Sequence, residues 1–146
     1  MKYVEEIDRT LLARELTALG VRPPMVVSLA DVRLTDAIRL YSEIHEQTPP
    51  RGMLPSSPEW YFVTRRRRKD AAAFLSIYVE SKNCMRDACR ARHLIASWKV
   101  FSEISKTPLF DINRAWSLIT LHEQGKINLM KTSTSELPFY NNYDIT

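Results

Sequence analysis

The sequence predicts an all-α protein, folded as a single helical domain, and three observations lead to that prediction. Glycine is scarce, with three in 146 residues, whereas a sheet protein with many tight turns usually needs more. Apolar residues recur at spacings of three and four along much of the chain, as they do on one face of a helix. Most of the prolines are concentrated in two places, where they separate the helical segments.

The N-terminal segments are predicted to form three short helices. Helical spacing occupies residues 4–19, and Gly20 follows where a left-handed residue commonly ends a helix. The Pro-Pro pair that begins at Pro23 cannot lie inside a helix but fits the first turn of a second one, over about 23–30. Thr35 is the expected N-cap of the third helix.

These three helices make a helix-turn-helix-like part, residues 1–48. Helices joined by short turns occur in DNA-binding proteins with that motif. From spacing alone, however, an ordinary three-helix corner without a DNA role is the better-supported interpretation. A Pro-rich segment over 49–58 follows and is expected to be a structured loop, because it holds too many prolines for a helix or a central strand.

A second helical part is predicted over 59–125. Ser56 or Ser57 is expected to cap a helix that opens at Pro58, since proline and an acidic residue suit a first turn. Helical spacing then continues, and it recurs over about 85–104.

The last helix has the clearest boundaries. Asp111 is a good N-cap, and Gly125 stands where the left-handed C′ residue belongs. The helical domain is therefore expected to cover residues 1–125. Residues 126–146 lose the period and gain Ser, Thr and Asn, so this tail is expected to be extended or poorly ordered.

Composition places the chain among basic proteins of the cell interior. The formal net charge is +4, which suits a nucleic-acid partner but does not by itself establish one. No apolar run approaches the roughly 18 residues that cross a bilayer, and no apolar segment of a signal peptide follows the start. We therefore expect a cytoplasmic protein whose two cysteines are reduced, with no membrane partner.

Several short motifs occur together in this chain. A Leu-Gly-x-Arg turn ends at Arg22, and an Arg-Leu-Tyr motif within a predicted helix ends at Tyr41. A Pro-Pro-Arg-Gly-Met-Leu-Pro loop leads to Glu59-Trp60. An Arg-Ala-Trp helix follows and contains Trp116. Across roughly residues 5–130 this set resembles the FlhC family, the C subunit of the flagellar master transcriptional activator.

The resemblance implies a regulatory subunit with no catalytic activity and no small-molecule substrate. Such a subunit would assemble with a small helical FlhD-like partner into a hetero-oligomer that binds double-stranded promoter DNA and recruits RNA polymerase. Related pairs on mobile elements control conjugation genes in place of bacterial flagellum biogenesis. Both kinds of regulon remain open for this chain.

One family feature is missing. The FlhC family carries a zinc site of four cysteines just after the Arg-Ala-Trp helix, but residues 129–140 of this chain contain no cysteine. Hydroxyl side chains do not replace thiolates in a structural zinc site, so we expect no metal and no cofactor, and residues 126–146 are the remnant of that region. An alternative function follows: a zinc-free interaction protein that sequesters FlhD-like subunits as an anti-activator.

Two basic clusters are the candidate DNA-binding sites. The first is a run of five successive cations, and mutual repulsion within it favours an anionic partner such as DNA phosphate. Its alternative interpretation is a solvated surface turn between two helices. The second cluster is expected to form a basic stripe, because Arg86 and Arg90 are four residues apart and would share a helix face. The candidate residues are Arg65, Arg66, Arg67, Arg68, Lys69, Arg86, Arg90 and Arg92.

The sequence gives little support to catalysis or to another metal site. It has no Gly-rich phosphate loop, no nucleophile elbow and no paired histidines at helical spacing, so an enzyme is not expected. Cys84, Cys89 and His93 offer three ligands with no obvious fourth, and small buried cysteines are common in helical cores.

Overall fold

The structure is a computed structural model that describes residues 2–129, with side chains from residue 5 onward. The described chain contains six α-helices and one short 3-10 helix, and no β-strand, which confirms the prediction of an all-α protein. The chain divides into two compact units, Met1–Leu54 and Pro55–Thr146. The helices are α1 (Lys2–Ala18), α2 (Pro23–Ala30), α3 (Leu34–His45), the 3-10 helix (Pro58–Phe62), α4 (Arg65–Cys84), α5 (Arg90–Ile104) and α6 (Ile112–Glu123).

In the first unit, α1 ends as its sequence predicts. Gly20 has a positive φ of 98°, and its amide donates to the carbonyl of Thr17 at 2.9 Å. The amide of Val21 donates to the carbonyl of Leu16 at 3.1 Å. Together these two bonds form a Schellman motif, and Leu16 and Val21 are both fully buried, as the apolar contact of that motif requires.

The start of α3 differs from the prediction. Thr35 lies inside the first turn, and the N-cap residue is Arg33, whose backbone is extended. The carbonyl of Arg33 accepts from the amide of Ala37 at 3.0 Å, and its guanidinium pairs with Asp36 at 3.1 Å. The helix therefore begins two residues earlier than predicted, without a side-chain capping bond, and Asp36 in its first turn complements the helix dipole.

The Pro-rich loop is tied to the turn between α1 and α2 by one side chain. The guanidinium of Arg22 donates from Nη2 to the carbonyls of Pro50 at 3.0 Å and Gly52 at 2.9 Å. Gly52 has a φ of 110°, a conformation that favours glycine. Two motifs that are far apart in sequence, the Leu-Gly-x-Arg turn and the Pro-Pro-Arg-Gly-Met-Leu-Pro loop, are thus one structural feature.

The second unit is built around an aromatic core. Phe74 of α4 and Phe101 of α5 are essentially fully buried, with ring centroids 5.6 Å apart. Phe110, just before α6, stacks on Phe101 at 5.5 Å, and the ring of Trp98 contacts all three. Burial of such large apolar side chains is the main source of stability for a unit of this size.

The helix expected over 85–104 is shorter than predicted. Its first residues belong to the connection between α4 and α5, and the helix begins only at Arg90. Two hydrogen bonds fix the connection: the amide of Met85 donates to the carbonyl of Ser81 at 2.8 Å, and the Met85 carbonyl lies 2.7 Å from Nε2 of His93. The Met85 carbonyl also accepts from the amide of Ala88 at 3.1 Å, so a backbone turn and a buried histidine replace the bond that a continuous helix would make there.

Helix α6 confirms both predicted boundaries. Asp111 is the N-cap, and its carboxylate accepts from the amide of Arg114 at 3.0 Å. Gly125 has a φ of 77°, and the amide of Lys126 donates to the carbonyl of Leu121 at 2.9 Å, as in a Schellman motif. The extended or poorly ordered tail was predicted for 126–146, and 130–146 lie outside the described residues.

Candidate nucleic-acid interface

The run of five cations begins helix α4. Thr64 is the N-cap residue, and its hydroxyl accepts from the backbone amide of Arg67 at 3.1 Å. The carbonyl of Thr64 also accepts from the amide of Arg68 at 3.1 Å. The alternative interpretation of the run as a turn between two helices is therefore wrong, because a threonine cap allows these residues to adopt helical geometry.

This helix start has an unfavourable distribution of charge. The N-terminus of a helix carries a partial positive charge, which acidic side chains stabilise and cations oppose. The first turn of α4 contains no acidic residue. Arg65, Arg66 and Lys69 are exposed, and none of them forms an ion pair with any residue in the described part of the chain. These three side chains are therefore available to an external anion.

The remaining cations of the run are in a different environment. Arg67 and Arg68 are half-buried. The guanidinium carbon of Arg67 lies 4.1 Å from the centroid of the Trp60 ring, and Nη1 of Arg67 is 3.4 Å from the Trp60 carbonyl oxygen. The guanidinium carbon of Arg114 lies over the same ring at 3.9 Å. Trp60 thus has two cations against its indole, an arrangement in which the ring quadrupole attracts both.

The second basic cluster does not form the predicted stripe. Arg86 lies in the connection after α4, whereas Arg90 is the first residue of α5, so the two do not share a helix face. Between them the chain leaves helical geometry, and the Met85 carbonyl accepts from the amide of Ala88 at 3.1 Å and lies 2.7 Å from Nε2 of His93. Arg86 and Arg92 are both exposed.

Arg90 takes part in an internal network. Its guanidinium donates to Glu123 at 2.7 Å and lies over the ring of Trp116 at 4.7 Å from the centroid. Glu123 also accepts from the hydroxyl of Tyr78 at 3.1 Å. A cation with both a carboxylate and an aromatic partner is less available to phosphate than Arg65 or Arg66.

The two clusters are separated by the length of α4. The run begins at Arg65, and Arg86 follows the last residue of the helix, Cys84. Twenty residues at 1.5 Å per residue give a separation of about 30 Å. The structure therefore does not combine the predicted residues into one small site.

The sequence did not predict that Trp60 contacts both Arg67 and Arg114. Arg114 lies in the Arg-Ala-Trp motif, and Trp60 ends the motif that follows the Pro-rich loop. The hydroxyl of Tyr61 also donates to the carbonyl of Arg114 at 2.7 Å. One signal was available in the sequence: the motif that ends at Trp60 and the Arg-Ala-Trp motif both belong to the set that resembles the FlhC family. Residues of two motifs that occur together are candidates for contact in the folded chain.

Neither a metal cluster nor a membrane span is found in the part of the chain that the structure describes. No three His, Cys, Asp or Glu side chains come together there. Cys84 and Cys89 are exposed, in contrast to the buried position considered from sequence, and one ring nitrogen of His93 is bonded to Met85. None of the described helices is both long and apolar enough to cross a bilayer.

The first unit presents apolar side chains to solvent in two pairs. Ile7 and Leu11 lie one turn apart on α1 and are 57% and 55% exposed. Leu34 and Ile38 lie one turn apart on α3 and are 50% and 41% exposed. The second unit also exposes such a pair, Val100 and Ile104 on α5, so the first unit is distinguished by having two exposed pairs.

Comparison with known proteins gives a consistent result. The family profile described as "Flagellar transcriptional activator (FlhC)" matches residues 2–143. Proteins named flagellar transcriptional regulator FlhC are 30% identical over 85% of this chain in Cupriavidus metallidurans, 30% over 86% in Pectobacterium carotovorum and 32% over 88% in Cupriavidus necator. The chain spans 59%, 66% and 64% of the lengths of these relatives. With the family profile matching nearly its whole length, this chain belongs to the FlhC family.

Proposed function

We propose that this chain is a subunit of a transcriptional activator, which binds promoter DNA together with an FlhD-like partner and recruits RNA polymerase in the cytoplasm. Its relatives are named transcriptional regulators, and no catalytic role is proposed. The observation that carries the proposal is the exposed positive charge at the start of α4, where Arg65, Arg66 and Lys69 have no ion-pair partner among the described residues. Duplex DNA is a dense array of phosphates that such a cluster can bind.

A salt titration of the complex with its partner tests this proposal. Each phosphate that a cation neutralises adds about −0.9 to the slope of log affinity against log salt concentration. Changing Arg65 and Arg66 to Ala should reduce that slope by up to about 1.8, and by similar amounts on promoter and random DNA, because phosphate contacts carry no sequence information. The matched control is Lys82→Ala with Lys106→Ala, which removes two exposed cations elsewhere in the second unit. Equal slopes for the wild type and the Arg65/Arg66 variant would contradict the proposed contact.

We propose that the FlhD-like partner binds through the apolar pairs of the first unit. Changing Ile7 and Leu11 to Ser should abolish co-purification with the partner, since partner helices commonly bury such pairs. Val100 and Ile104 make the control, because they form an exposed pair one turn apart on α5, 47% and 68% exposed. Their change to Ser should leave co-purification intact. If both variants still bind, the docking surface lies elsewhere.

A second candidate function is sequestration of FlhD-like subunits without DNA binding. The absence of cysteine over 129–140 favours it, because the family's zinc region is missing there. A gel-shift experiment separates the two functions. The activator should retard promoter DNA when its partner is added, whereas an anti-activator should release DNA from a pre-formed activator complex.

We also propose that the chain folds and works without zinc. Elemental analysis of the purified protein should find well below one equivalent of zinc per chain, and a chelator should leave the Tm unchanged. Stoichiometric zinc in the purified protein would contradict this proposal.

A further inference from the structure

The five cations at the start of α4 are divided between two environments. The side chains of Arg65 and Arg66 are exposed, whereas Arg67 is half-buried with its guanidinium against Trp60. The indole of Trp60 is therefore an internal partner for Arg67, and the interaction of a guanidinium with an indole strengthens as water is excluded. The run is therefore not a uniform basic surface.

Trp60 links three elements of the second unit. The ring belongs to the 3-10 helix, Arg67 belongs to α4, and Arg114 belongs to the first turn of α6. The backbone carbonyls of Trp60 and Arg114 accept further bonds, from Arg67 and from the hydroxyl of Tyr61 respectively. The start of α4 is consequently connected to the interior through this ring.

The contacts of Trp60 stabilise a helix start that is electrostatically unfavourable. Successive cations repel one another, and they also oppose the positive end of the helix dipole, so the first turn of α4 tends to unwind. The side-chain cap on this turn is Thr64, which binds one amide. The attraction between the Trp60 ring and the Arg67 guanidinium offsets part of this repulsion and favours the helical geometry of the first turn.

We infer that Trp60, Arg67 and Arg114 form a positioning cluster, which holds the first turn of α4 so that Arg65 and Arg66 are presented to DNA phosphate. The inference rests on the proposed function for the DNA contact, and on the geometry alone for the helix start. Within the cluster Arg67 is a positioning residue and does not itself contact DNA.

Hydrogen exchange of the protein without DNA tests whether the cluster holds the first turn of α4. Trp60→Leu removes the ring but keeps every positive charge. It should accelerate exchange of the amides of Arg67 and Arg68 by about tenfold, since both are bonded to Thr64 in the first turn. The control is Trp98→Leu, which removes an indole from the aromatic core, and which should lower Tm without a selective effect at the start of α4. Unchanged exchange at these amides in Trp60→Leu would overturn the cluster.

Binding by the complex with its partner tests the presentation of Arg65 and Arg66 to DNA. Trp60→Leu should weaken DNA binding several-fold although no charge is lost. In the background of Arg65→Ala with Arg66→Ala it should have no further effect, because a positioning residue acts only through the residues it positions. Full additivity of the two changes would overturn the positioning role. Absence of DNA binding by the wild-type complex would overturn the proposed function, and the exchange experiment would still decide whether the cluster exists.

Discussion

Helices α4 and α6 both begin with a side-chain cap but differ in charge. Asp111 caps α6 and brings a negative charge to the positive end of the helix, while its carboxylate also accepts from the side-chain amide of Asn113 at 3.2 Å. Thr64 caps α4 with a neutral hydroxyl, and five cations follow it. The start of α6 is electrostatically satisfied within the chain, whereas that of α4 is not.

The charges at the two helix starts suit different purposes, stability at α6 and binding at α4. The electrostatics of the α6 start contribute to folding, because the capping charge complements the dipole in the folded protein only. The charge at the start of α4 opposes folding slightly and is suited to an external anion. A helix start that is unfavourable by itself is thus better evidence for a binding surface than the net charge of +4.

The largest expected effect concerns alkaline pH and a residue that holds the start of α6. Tyr61 donates to the carbonyl of Arg114, and burial is the main cause that raises its pKa from 10.0 to about 12. Above pH 10 the unfolded chain loses this proton while the folded protein keeps it. The contribution of Tyr61 to the free energy of unfolding is therefore fully present below pH 10. It falls by about 2 to 3 kcal/mol as the pH rises toward 12.

Urea denaturation at several pH values measures this loss. Burial also raises the pKa of Tyr78, so some pH dependence should persist in Tyr61→Phe. If Tyr61→Phe has the same pH dependence as the wild type, the Tyr61 phenol is not buried in the way described.

The second prediction compares the two caps directly. Asp111→Ala should lower the free energy of unfolding by about 1 to 2 kcal/mol, because it removes both a capping bond and a favourable charge. Thr64→Ala removes only a capping bond, so its effect should be smaller, about 0.5 to 1 kcal/mol. Chemical denaturation of both variants provides the measurement.

Asp111→Asn is the control that keeps a cap and removes the charge, and its effect should lie between zero and that of Asp111→Ala. A larger loss in Thr64→Ala than in Asp111→Ala would reverse the comparison between the two helix starts.

The smallest expected effect has opposite signs at the two ends of α4. Arg65→Gln should stabilise the protein by about 0.3 kcal/mol at low salt, because it removes a cation from the positive end of the helix dipole. Lys82→Gln should destabilise it by a similar amount, about 0.3 kcal/mol, since Lys82 lies in the last turn. Both effects should disappear near 1 M salt, where charges are screened over about 3 Å. Equal signs at low salt would show that the dipole is not the cause.

Particular residues show how much of the fold could be predicted. Gly20, Gly125 and Asp111 were assigned correctly because left-handed C′ residues and N-caps depend on neighbouring backbone, which is local information. Thr35 was assigned wrongly as a cap, because the N-cap of this helix is Arg33, without any side-chain capping bond for the sequence to reveal. The helix expected over 85–104 begins only at Arg90, because the Met85 carbonyl is bonded to the Ala88 amide and to His93 in the connection, which the helical period of the sequence does not record.

The candidate site follows the same division. The all-α class, the family resemblance and the presence of two basic clusters follow from the amino-acid sequence, since each depends on composition, period or short motifs. Which of the cations are available to an external anion follows from the packing of the helices. Arg67 lies against Trp60 and Arg90 is bound to Glu123, while Arg65 and Arg66 are left exposed. The reason is that a cation's partner depends on how elements pack: Glu123 is 33 residues from Arg90, and Trp60, only seven residues from Arg67, lies on a different element whose orientation no helical period records.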